Sequence, residues 1–111
     1  MKSDDGLPVA IPRTFAPLSG APANLAVTNA SQAVALTQII PQGGCNCRIA
    51  TTGTGGDVHV RFDGTAATTS DMRLLVGTVE VFTLAFGASI TAILDSGTSG
   101  TNINVTLGMG A

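Results

Sequence analysis

The sequence has no tryptophan and no tyrosine, one histidine and two cysteines. Only 11% of its 111 residues are charged, against about 25% in an ordinary globular domain. Each shortage removes a class of function. Without Trp or Tyr there are no broad amphipathic platforms on which sugars or bases stack well. Five Lys and Arg against seven Asp and Glu give a net charge of −2. The basic residues (Lys2, Arg13, Arg48, Arg61, Arg73) are scattered, so no patch for nucleic acid is expected. One His and two Cys fall short of the roughly four ligands of a zinc site, and no cofactor motif is present. No apolar run approaches the roughly 20 residues of a membrane helix. The opening "MKSDDGLPVA" has acids where a signal peptide carries an apolar stretch. Synthesis in the cytoplasm, with no membrane partner, is therefore expected.

Gly, Ala, Thr and Ser fill the composition instead. A surface built from them has few charges to oppose self-association, which favours a protein that lives in an assembly. The length allows one domain, large enough to bury roughly two-thirds of its unfolded surface without disulfides.

Residues 1–22 differ from the rest. They hold Pro8, Pro12, Pro17 and Pro22, all but one of the five prolines. Proline lacks the backbone donor and fixes φ, so neither a helix nor a central strand is expected there. The segment reads as an extended arm studded by Leu7, Val9, Ile11, Phe15 and Leu18. Disordered tails are usually poor in such residues, so the arm is expected to dock on its own domain or on a partner through them.

Residues 23–111 read as the domain. "NLAVTN", "QAVALT", "GGCNCRIATT", "DVHVRF", "TVEVFTL", "ASITAIL" and "TNINVTL" alternate apolar and polar with a period of two, which is strand spacing. Gly, Ser, Asp and Thr separate them, as turns require. "SDMRLLVG" is the one stretch expected to form a short helical turn. The prediction is an all-β fold: an antiparallel, jelly-roll-like β-sandwich of about seven to eight short strands behind an extended N-terminal arm.

The candidate chemistry is thin. Cys45 and Cys47, two residues apart on a strand, share one face with Ile49 and read as small buried apolar groups. His59, Arg61 and Asp63 alternate along the outward face of one strand. No nucleophile elbow or oxyanion-hole signature accompanies them, so a solvated face or a subunit contact is expected. Asp63-Gly64 reads as a hairpin turn and Ser70-Asp71 as a turn or cap. Asp57, Asp63 and Asp71 match no calcium loop. "GTGG" lacks the Lys and the helix that phosphate binding needs. No catalytic, metal or cofactor residue is assigned, and no enzyme is expected.

One longer pattern remains. "VRFDGTAATTSDMRLLVGTVEVFTL", then "ASITAIL" and the closing "NVTLGMGA", resembles a group of small proteins encoded by tailed bacteriophages. The likeness covers roughly residues 45–111 and leaves out the arm. It implies a virion component, similar in size to the small β-sandwich cement proteins of phage heads, and carries over no functional residue. The expectation is a capsid decoration protein on the virion surface. Its partners would be the major capsid protein and further copies of itself as a homo-oligomer. The alternatives are another virion part (head fibre base, neck or tail) or a receptor- or carbohydrate-binding module.

Overall fold

A computed structural model describes residues 14–110 of the chain. Among them are nine strands and no helix: β1 (Ala16–Pro17), β2 (Ala23–Val27), β3 (Gln32–Ala33), β4 (Cys45–Gly53), β5 (Val58–Arg61), β6 (Met72–Leu74), β7 (Val79–Leu84), β8 (Thr91–Leu94) and β9 (Thr101–Met109). They form two sheets. In sheet A, β9 lies between β4 and the pair β1 and β2, and β7 follows β4. In sheet B the order is β3-β8-β5-β6. Every strand pairing is antiparallel.

The order of β2 to β9 across the two sheets, β2-β9-β4-β7 over β3-β8-β5-β6, is that of an eight-stranded jelly roll. The expected all-β sandwich is thus present, with β1 as an extra short strand on the same edge of β9 as β2.

Alternation supplies the core. From sheet A, Cys45, Cys47 and Ile49 of β4, Ile103, Val105 and Leu107 of β9, and Leu84 of β7 point inward. From sheet B, Val58, Val60, Leu74, Ala92 and Leu94 meet them. Burying each of the larger aliphatic side chains is worth about 1.5–3 kcal/mol. Both cysteines are free thiols in this core. Burial pushes the Cys47 thiol up to about 12 and raises Cys45 as well, so both stay protonated.

Three local expectations are corrected. In "QAVALT" only Gln32 and Ala33 pair, with Ala92 and Thr91. The Val34 amide still donates to the Ile90 carbonyl at 2.8 Å, and beyond it the chain leaves the ladder; Val34 reaches the core and Leu36 packs against it. "SDMRLLVG" contains strand β6 rather than a helical turn. Leu74 pairs with Val58 and is fully buried, so tertiary pairing overrides a local preference that a single turn of helix cannot sustain. Asp63-Gly64 does not close a two-residue hairpin, because β5 ends at Arg61 and β6 begins at Met72. The Asp63 carboxylate instead accepts from the Thr65 amide at 3.0 Å and hydroxyl at 2.7 Å, turning the chain locally.

Candidate functional site

The outer face of sheet B gathers most of the charge. His59 points outward from β5, between Arg73 of β6 and Ile93 of β8. It is nevertheless 4% exposed, so the expected solvated position is corrected: flanking side chains cover the ring. Its Nδ1 lies 2.8 Å from the Asp71 carbonyl oxygen and its Nε2 lies 2.7 Å from Asp95 Oδ1. A carbonyl only accepts, so Nδ1 carries a proton. Both ring nitrogens are thus engaged by protein groups.

The network continues on both sides. Arg73 reaches Asp57 at 2.9 Å and Asp95 at 3.3 Å, and Arg61 reaches Asp63 at 3.0 Å and Asp71 at 3.4 Å. Asp57 also accepts the Val76 amide at 2.9 Å. That bond, then Arg73, holds its carboxyl below the usual range. Asp63 is held down at about 2 by the Thr65 hydroxyl and amide first, then by Arg61, whose own guanidinium is raised in return. Asp71 accepts the Thr68 amide at 2.7 Å and closes the turn before β6. These contacts tie three strands of one sheet to their loops. Each of the three aspartates weighed for calcium already has protein donors. The backbone amides of Thr54 and Gly55 both donate to the Gly100 carbonyl, so "GTGG" forms a seam between loops rather than an anion cradle. Gly53 at φ +122 abuts the same carbonyl, where a Cβ would lie 2.1 Å away.

The second region is the end of the sandwich where β4 starts and β7 and β9 finish. Ile39 is 82% exposed and Phe86 62% exposed, and Met109 is also open. Phe86 sits at the corner of the Ala85–Ala88 turn, whose Ala88 amide donates to the Ala85 carbonyl at 3.0 Å. One open hollow lies at this end and another beside the edge that carries β1 and β2. One, of about 420 Å³, is lined by Gly43, Gly44, Cys45, Asn46, Thr83, Met109 and Gly110. The other, of about 460 Å³, is lined by Leu18, Ser19, Gly20, Thr37, Ile39 and Pro41.

The arm residues divide. Leu7, Val9 and Ile11 lie outside the described residues. Phe15 and Leu18 dock on their own domain. Ala16 and Pro17 pair with Met109 and Gly108, and the Leu18 amide donates to the Leu107 carbonyl at 2.9 Å. Pro17 is tolerated because this is an edge. Gly108 makes room for the arm, since a Cβ there would lie 2.5 Å from both the Phe15 ring and the Ala16 carbonyl oxygen.

Gln38 was not singled out from sequence. Its buried amide accepts the Leu107 N–H at 2.7 Å and donates to the Leu18 carbonyl at 2.9 Å. The side chain thereby stands in for backbone in the gap between β1 and β2. Nothing local in "LTQII" announces this role. Phe86 did carry a signal, as a large aromatic at a glycine turn.

No protein-family model matches the chain, and neither does any curated protein or solved structure.

Proposed function

We propose that the chain is a structural virion protein, a decoration or cement protein that binds where major capsid subunits meet and holds them together. The observation that carries this reading is the eight-stranded jelly roll with exposed apolar side chains, Ile39, Phe86 and Met109, at one end. Jelly rolls recur in viral capsid and lectin domains. Fold alone does not assign function, so the surface must decide. Ile39, Phe86 and Met109 are anchors that bury well against a partner. The glycine-lined hollow beside Met109 has no aromatic platform for a sugar, which favours the protein partner over the glycan. Each copy contributes modest apolar burial, worth about 25 cal/mol per Å² before the cost of association. Repetition over a symmetric shell makes many such contacts effective.

Quantitative mass spectrometry of purified particles tests the reading. On the order of hundreds of copies per particle, in a fixed ratio to the major capsid protein, is the expected result. A single ring of copies would move the protein to the neck or tail. Its absence from particles would overturn the proposal.

A further inference from the structure

The open flank of the sandwich is β7. Sheet A ends there: Val79–Leu84 pairs with β4 on one side and, among the described residues, with nothing on the other. The other edge of sheet A differs, since the 34–40 segment runs beside it. There the Thr37 hydroxyl donates to the Ala21 carbonyl at 2.6 Å and Gln38 to the Leu18 carbonyl at 2.9 Å. The edges of sheet B are short, with three residues in β6 and two in β3. Among the described residues β7 is therefore the longest open edge.

The ladder fixes which backbone groups of β7 are open. The Thr51 amide donates to the Thr78 carbonyl at 2.9 Å. Backbone groups alternate along a strand, so those of Glu80, Phe82 and Leu84 turn to β4 as well, and those of Val79, Val81 and Thr83 turn outward. Such a row is a template for another strand. It is also self-complementary: β7 of a second copy, run antiparallel about a two-fold axis, presents the same row in return.

One residue stands against that pairing. Glu80 lies opposite Ile49, which is fully buried, so its side chain leaves β7 on the core-facing side. Phe82 and Leu84 share that side, opposite Cys47 and Cys45, and are partly and fully buried. Alternation asks for a third apolar residue there, yet the position holds an exposed carboxylate. Asp57, Asp63, Asp71 and Asp95 all have arginine or histidine partners, whereas Glu80 has none among the described residues. Registers that join more than one of Val79, Val81 and Thr83 to the same row place Glu80 opposite Glu80, Phe82 or Leu84 of the second copy. The first sets two carboxylates side by side. The others cover a carboxylate with an apolar side chain and supply no cation. An unpaired charge taken from water outweighs what a few added backbone hydrogen bonds return.

We infer that Glu80 guards this edge: its carboxylate keeps β7 from pairing with β7 of a second copy and leaves self-association to other surfaces. The inference does not depend on the capsid reading.

Sedimentation of the full chain beside Glu80→Val and Glu80→Lys tests this, with hydrogen exchange at Val81 and Thr83. The position is exposed, so both variants are expected to fold, checked by unchanged thermal melting of dilute samples. Glu80→Val is expected to self-associate more tightly than the full chain by about tenfold or more, with slowed exchange at Val81 and Thr83. Glu80→Lys, which keeps a charge on the flank, is expected to match the full chain, and in both these amides exchange fast. Protected Val81 and Thr83 amides in the full chain would overturn the inference. So would a Glu80→Val variant that associates no better, or that associates with those amides still open, or a Glu80→Lys variant that behaves like Glu80→Val.

Discussion

The outer faces of the two sheets are built from different residues. Of the eight charged side chains between Thr14 and Gly110, six (Asp57, Arg61, Asp63, Asp71, Arg73 and Asp95) join His59 in the network on sheet B. The outer face of sheet A presents Asn24, Asn46, Thr83, Asn102 and Asn104 beside the exposed Val79 and Val81, with Arg48 as its one charge. Its polar groups pair among themselves, as where Asn104 donates to Asn24 at 2.9 Å. The contrast separates two tasks. Sheet B has short strands, of two to four residues, and uses ionic contacts to hold them to their loops. The two longest strands of sheet A have nine residues, and its outer face carries Arg48 as its one charge.

Removing His59 breaks this contrast most sharply. His59→Ala leaves Asp95 and the Asp71 carbonyl without their buried partner and is expected to cost about 2–3 kcal/mol in chemical denaturation. Gln38→Ala, which leaves the buried Leu107 amide unpaired, is expected to cost about 1–2 kcal/mol and to loosen β1, seen as faster exchange at Leu18. Acid should act on sheet B first. Asp63 and Asp57 are ionised more easily folded than unfolded, so their contribution is full above the unfolded value near 4. It is lost as pH falls towards 2. Amide exchange along β5 and β6 should therefore rise between about pH 4 and pH 2, and Asp63→Asn should flatten part of that rise. The smallest effect belongs to sheet A: Arg48→Ala should change stability by less than about 0.5 kcal/mol.

How much of this was legible in sequence follows from the range of each interaction. The long strands β4 and β9 repeat their alternation over nine residues, so the inward set Cys45, Cys47, Ile49 and Ile103, Val105, Leu107 could be read directly. β6 could not, because three residues carry no period and Leu74 is fixed by Val58 across the sheet. Alternation placed His59 outward correctly. Its burial depends on Asp95, 36 residues away. Phe15 and Leu18 were marked as partner-binding residues of the arm; they lie against Gly108 and its neighbours in their own domain, a contact between the two ends of the chain that no local pattern announces. Composition indicated a weakly charged surface without showing that the charge collects on one side.

The central proposal is that the chain would meet a capsid through its apolar end rather than its ionic face. Hydrogen exchange of the protein free and bound to particles tests it most directly. The expected result is protection confined to residues 38–44 and 84–88, with the amides of β5 and β6 unchanged. Protection along β5 and β6, with the Ile39 and Phe86 turns still exchanging freely, would contradict the account.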